Sequence, residues 1–327
     1  MKPEFRRDIS ILFGDGKSAM RNLYRQALLG AGFHNLREFD SMAVFADLLH
    51  AVQPDVILME IEMPAGDACA MVRSLRHGSL GDNPFLPIIL TTWDAESTNV
   101  RRAVNAGADD LLVKPLNTKT LVERIEALAL ARKPFVVTAD YIGPDRRKIA
   151  ARDGAGAADS APLIQPPNPL LAKLRGQPVD AAATSSALVQ ANEQVRIQRL
   201  RQSAFRIAFS AQQVVPAFRE GRVDDRIRGL LRELIESVDE ISRRVVGSDV
   251  AHVGKICEPL LVTARRLAVN DLPDPATPEG RKPLDLMLAL SNAVLAFFNP
   301  GREAGQLAGE VASAVDRYRS RVAQGRA

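Results

Sequence analysis

Cysteine is scarce: Cys69 and Cys257 are the only two in 327 residues. They lie far apart and have no His or Cys neighbour at metal-ligand spacing, which argues against a disulfide framework or a cysteine-built metal site; buried free thiols are the expected state. Long apolar runs are missing too. No stretch approaches the ~18 uninterrupted apolar residues of a membrane helix, and the opening Met1-Lys2-Pro3-Glu4-Phe5-Arg6 lacks the apolar core of a signal peptide. A cytoplasmic chain with no membrane insertion is expected. Nor is there strong charge of one sign: 43 Lys and Arg against 39 Asp and Glu leave a net charge of +4, and the arginines are mostly interleaved with acids. A DNA footprint needs basic side chains clustered on one face, so nucleic acid is not the expected partner.

What is present points to a globular protein. The chain is 46% hydrophobic and 25% charged, and its length suits two domains of ordinary size. Residues 8–131 alternate strand and helix patterns five times. Strand candidates are the apolar runs 9–13, 36–39, 56–59, 87–91 and 110–113. Met20, Leu23, Tyr24, Ala27 and Leu28 keep helical spacing up to Gly30 and Gly32, which suit a helix C-terminus. Ser41 is the expected cap of the second helix and Asn117 of the last, where Leu121, Val122, Ile125 and Leu128 form another stripe. Such alternation implies an α/β fold, a doubly wound parallel sheet with helices on both faces.

Function in such sheets collects beyond the carboxyl ends of the strands. The first strand delivers Gly14-Asp15-Gly16, the third Glu60, the fourth Thr91-Thr92 and the fifth Lys114-Pro115. Two acids, hydroxyls and an ammonium group are thus expected on one edge. Gly16-Lys17-Ser18 has the look of a P-loop end, but the glycine required five residues earlier is Ile11, and nucleotide binding there is discounted.

These features resemble the receiver domain of two-component response regulators. The residues that carry the resemblance are Met20-Arg21, Asp55-Val56-Ile57-Leu58 with Met63-Pro64, Leu86-Pro87-Ile88-Ile89 before Thr92, and the run from Gly107 to Pro115. The resemblance implies a flavodoxin-like (βα)5 receiver over residues 5–132. In that family two acids after the first strand help hold Mg²⁺, an aspartate takes the phosphoryl group, and a Thr or Ser and a Lys grip its oxygens. It also implies a cis Lys114-Pro115 bond. Here Asp15 matches one metal acid, Gly16 stands where the second belongs, and Glu60 replaces the phosphoacceptor. Thr92 and Lys114 are retained as the phosphate pocket, and Leu111 replaces an aromatic residue that often rotates on activation.

Mg²⁺ demands near-octahedral oxygen ligation, so its binding is expected to be weak or absent, with no other cofactor. Phosphoryl transfer depends on positioning and charge neutralisation, which makes Glu60 a poor acceptor. Its extra methylene carries the carboxylate toward the space of a phosphoryl group on aspartate, within reach of Lys114 and Thr92. Three outcomes stay open: a constitutive imitation of the active state, an inert scaffold, or residual phosphorylation.

Residues 133–186 are expected to form a Pro/Gly/Ala-rich linker, flexible from about residue 150. It contains Tyr141-Ile142-Gly143-Pro144-Asp145-Arg146-Arg147, either a docking peptide or a turn with a basic tail. Residues 187–327 return to helical patterning, for example Ile227, Leu230, Leu231, Leu234, Val238 and Ile241, and four or five amphipathic helices imply an all-α bundle. Arg196, Arg199, Arg201 and Arg206 are expected to be a solvated face rather than an anion-binding surface. His252 and Lys255 are placed inside a helix, a faint likeness to histidine phosphotransfer domains. The expected function is a response-regulator-like signalling protein of the phosphorelay type. It would act independently of phosphorylation and bind a protein partner, a sensor kinase or other regulator, through the bundle, with a homodimer as a further option. Alternatives are a transcriptional regulator with a DNA-binding output domain, or a receiver still phosphorylated by a sensor kinase. The chain is not expected to be an enzyme; phosphotransfer or phosphatase chemistry at His252 is the exception considered.

Overall fold

The computed structural model describes residues 3–138, 140–146, 162–247, 250–271, 273–274 and 277–323. The chain divides into two compact units, Met1–Val195 and Arg196–Ala327.

In the first unit, β1 (Ser10–Gly14), β2 (Asn35–Phe39), β3 (Val56–Glu60), β4 (Ile88–Thr92) and β5 (Asp110–Val113) form one parallel sheet of order β2-β1-β3-β4-β5. This is the flavodoxin-like order, with its switch point between β1 and β3. Between the strands run α1 (Ser18–Gly30), α2 (Phe45–Val52), α3 (Ala68–Arg76) and α4 (Ser97–Ala106), and α5 (Thr118–Leu130) follows β5. The inner strands β1, β3 and β4 are buried throughout because both faces are covered, while β2 at the edge alternates buried and exposed positions. Ile11, Phe13, Val56, Leu58 and Ile89 face a core that includes Tyr24 and Leu28 of α1 and Leu121 and Ile125 of α5. Their alternate neighbours Leu12, Ile57, Met59, Ile88 and Leu90 face a second core with Phe45 of α2, Val72 of α3 and Ala103 of α4.

Asn117 caps α5 by accepting from Thr120 N at 2.7 Å. Ser41 does not cap α2: it makes no capping bond, and a short 3-10 turn, Met42–Val44, comes first. That turn is drawn away by Met42 N, which donates to Pro64 O at 2.9 Å. Asp67, which the sequence did not single out, caps α3 through Cys69 N at 2.8 Å.

The described part of the expected linker is folded. β6 (Phe135–Val137) and β7 (Ile142–Pro144) pair antiparallel, and Ile164 exchanges backbone hydrogen bonds with Phe135. Helix α6 (Pro169–Leu174) buries Leu170 and Leu174 in the core beside α1 and α5, and Lys173 Nζ lies 2.6 Å from Asp55 Oδ2. Residues 162–174 are thus no free tether, because Ile164, Leu170 and Leu174 are buried. Residues 147–161 of that expectation lie outside the described residues.

Helix α7 (Ala181–Arg219) contains both the expected linker boundary at 186/187 and the boundary between the compact units. The second unit is all-helical: the later part of α7 is followed by α8 (Asp225–Val245), α9 (Gly254–Ala268), α10 (Pro278–Phe297) and α11 (Ala304–Ala323). Its core gathers Ala204, Ile207 and Ala211 of α7, Leu231, Leu234 and Val238 of α8, Cys257 and Leu260 of α9, and Met287 and Val294 of α10. Asp224 and Thr277 cap α8 and α10 through Ile227 N and Gly280 N. His252 sits in the 3-10 turn Ala251–Val253 ahead of α9, not inside a helix, with its ring edge-on to Phe297 at 5.0 Å; Gly254 then starts the helix proper.

Candidate functional site

Three buried charges meet at the carboxyl edge of the sheet. Asp15 follows β1, Glu60 ends β3 and Lys114 follows β5, and the three are 2%, 7% and 4% exposed. Lys114 Nζ lies 2.5 Å from Asp15 Oδ2 and also forms an ion pair with Glu60 Oε2. The other Asp15 oxygen accepts from Lys17 N at 2.8 Å, and Arg21 donates to the Asp15 carbonyl at 2.8 Å, which pins the loop between β1 and α1. Burial lowers the Lys114 pKa, opposed by the hydrogen bond and charge of Asp15. Two carboxylates against one ammonium leave one negative charge in this trio.

Aromatic rings complete the pocket. The Trp93 ring lies 5.4 Å from Lys114 Nζ and 5.6 Å from Lys17 Nζ, and the Tyr24 ring is 5.9 Å from Lys114 Nζ. The Tyr24 hydroxyl donates to Thr91 Oγ1 at 3.4 Å, and burial raises its pKa well above the usual tyrosine value. Trp93 is 52% exposed while its partner Lys114 is buried, so the indole stands at the mouth of the site.

Thr92 has local hydrogen-bond partners. It ends β4 and is buried, but its hydroxyl accepts from Asp94 N at 3.1 Å and donates to Asp94 O at 3.2 Å. Among the described residues it makes no hydrogen bond to Glu60, because the turn into α4 has taken the hydroxyl. Lys114-Pro115 is cis. Leu111 is half-buried and packs against the core beside α2, α3 and α4.

The motif after α5 also has a place. Gly143 in β7 lies so close to the turn between α4 and β5 that a Cβ on it would stand 2.8 Å from Gly107 Cα and 2.6 Å from the Tyr141 hydroxyl. Gly107 has φ +87, and a Cβ there would meet Ile142 O at 2.5 Å. Arg146 donates to Ala108 O. Nearby, Arg76 is fully buried: it bonds Gly107 O, Leu86 O and Asp109 Oδ2, each at 2.8 Å, and its guanidinium lies 5.1 Å from the Phe135 ring. Burial, partly offset by Asp109, lowers its pKa to about 10. The motif is thus built into the fold, neither a free peptide nor a simple tail, although Arg147 lies outside the described residues.

Residues 11–126 match the family model of the response regulator receiver domain. The first unit contains a receiver domain. Among relatives, the KDP operon transcriptional regulatory protein KdpE of Escherichia coli K12 is 31% identical over 133 residues, 40% of this chain and 55% of that protein. Response regulator MprA of Mycobacterium bovis BCG is 34% identical over 127 residues, 38% and 53% of the two chains. The chain therefore spans about half the length of these two. Chemotaxis protein CheY of Pseudomonas aeruginosa is 28% identical over 120 residues, 37% of this chain and 95% of that one. Among solved structures, chemotaxis protein CheY4 of Vibrio cholerae covers 36% of this chain and 96% of its own, at 23% identity and TM-score 0.33.

The Mg²⁺ that the receiver family implies can be tested against the residues present, and they do not fit it. Asp15 spends one oxygen on Lys114 and the other on Lys17 N, and Glu60 is paired with Lys114. Gly16 offers no side-chain donor, and a Cβ there would stand 2.9 Å from both Cγ and Cδ of Pro64. The proline ring thus fills the space a second acid would need, and among the described residues no group of three acids, histidines or cysteines converges on a cation. Nothing in the sequence pattern signals this: Pro64 belongs to the motif that marks the family, and its approach to Gly16 is a matter of loop geometry.

Proposed function

We propose that the protein is a signalling protein of the response-regulator type whose receiver works without phosphorylation. The observation that carries this reading is Lys114 clamped between Asp15 and Glu60. The cation that would grip a phosphoryl group already holds a carboxylate at the acceptor position, so the pocket has its counter-charge built in. With no oxygen set for Mg²⁺, the charge neutralisation that phosphoryl transfer needs is absent as well. On this reading the chain is not an enzyme, works in the cytoplasm, and gives its output by binding a protein partner through residues 196–327. Among the described residues no helix is long and apolar enough to cross a membrane.

The test uses Trp93, whose ring lies beside Lys114. Titration of the wild-type chain with Mg²⁺ and then beryllofluoride should change its fluorescence little, and acetyl phosphate should leave partner binding unchanged. Glu60→Asp with Gly16→Asp and Pro64→Ala, which removes the steric conflict along with the substitutions, should restore a response. A strong wild-type response would overturn the reading in favour of a receiver still served by a sensor kinase. A second reading, transcriptional control, comes from the KdpE relative, a transcriptional regulatory protein. It requires salt-sensitive, sequence-selective DNA retention, which the modest net charge of +4 does not favour.

A further inference from the structure

The second unit holds a charged site of its own. Arg199 and Arg206 on α7 and Arg243 and Arg244 on α8 line a cleft of about 560 Å³ together with Glu236 and Glu240. Four guanidinium groups thus face two carboxylates. The stretch expected to be a solvated face is therefore more than that. Glu240 is already engaged: Ser203 Oγ donates to its Oε2 at 2.9 Å, and Arg199 and Arg244 reach its Oε1 at 2.9 and 3.0 Å. Arg199 is only 13% exposed on its side chain, and burial followed by the charge of Arg244 lowers its pKa. Positive side chains thus outnumber acids in the cleft, and an anion seated there would balance the excess. Arg206 and Arg199 are seven residues apart, roughly 10 Å along the helix axis, which is longer than one phosphate. The volume lies in the range of roughly 300–1,000 Å³ that small-molecule sites occupy, and guanidinium forks match phosphoryl oxygens in pairs.

We propose that the cleft between α7 and α8 binds a phosphorylated small molecule carrying a diphosphate group, gripped by Arg206, Arg243 and Arg244 while Glu240 holds Arg199 and Arg244 in place. The test is calorimetric titration of the full chain with inorganic pyrophosphate, alongside its melting temperature. Saturable binding and a rise in melting temperature that sodium chloride of equal ionic strength does not reproduce are expected. Arg243→Gln, a change at an exposed position, should weaken binding at least about tenfold without altering the melting temperature of the unliganded chain. Arg206→Gln added to it should abolish the signal. The proposal is overturned by absence of saturable binding, by an undiminished response in Arg243→Gln, or by retention of duplex DNA with no pyrophosphate binding.

Discussion

Lys114 carries more of the receiver's carboxyl edge than any other single residue. Its side chain is wholly buried, and both acids that it meets are nearly so. Replacing it with Met would leave Asp15 and Glu60 buried without their counter-charge, a loss of about 3–5 kcal/mol at neutral pH. Urea unfolding should show that deficit in Lys114→Met as a lowered midpoint. Glu60→Gln combined with Lys114→Met should cost less than the two single changes added together, since the partners act as one unit. The meeting of Asp15, Glu60 and Lys114 was legible in the sequence because each follows or ends an apolar strand of one parallel sheet, and parallel strands present their carboxyl ends on one edge. The partner of Thr92 was not. Its hydroxyl has two claimants, the pocket and its own turn, and the choice depends on the backbone path through Asp94.

At the scale of elements, the hairpin β6–β7 and the turn before β5 interlock through two glycines. Gly143→Ala would push its new methyl into Gly107 Cα and the Tyr141 hydroxyl, and overpacking of this kind costs about 1–3 kcal/mol. Thermal unfolding should register the loss. The motif containing Gly143 was visible as a string of residues, but its role was not, because a glycine required by close approach looks the same in sequence as a glycine in a free turn. The same applies to residues 162–186, where Ile164, Leu170 and Leu174 are too sparse to form a periodic pattern and yet are all buried. The long stripes of α8, by contrast, were plain from spacing alone.

Between α7 and α8, Glu240 gives a pH signature. Burial alone would raise its pKa, but the hydrogen bond from Ser203 and the charges of Arg199 and Arg244 outweigh it and hold the pKa below the ordinary carboxylate value. A carboxyl depressed in the folded state stabilises above its unfolded pKa and stops doing so as pH falls through the folded one. Glu240→Gln should therefore cost about 1–3 kcal/mol at neutral pH and progressively less in acid, as read from denaturant midpoints across that range.

For the whole molecule, each compact unit has a core of its own, built round Ile57 and Ile11 in one case and Leu234 in the other. Two domains were expected from length and composition. The boundary was legible only approximately, since α7 begins within a stretch whose Ala, Thr and Ser content resembles a loop. Each unit has one thiol: Cys69 and Cys257 are both free and both fully buried, and burial raises the pKa of each. The native chain should accordingly take up no maleimide, and denaturation should admit two labels, as mass spectrometry would count them. A cysteine introduced at the exposed Val246 would then be the one thiol open to a dye in the folded chain, and the protein as it stands is its own unreactive background for watching the second unit meet a partner.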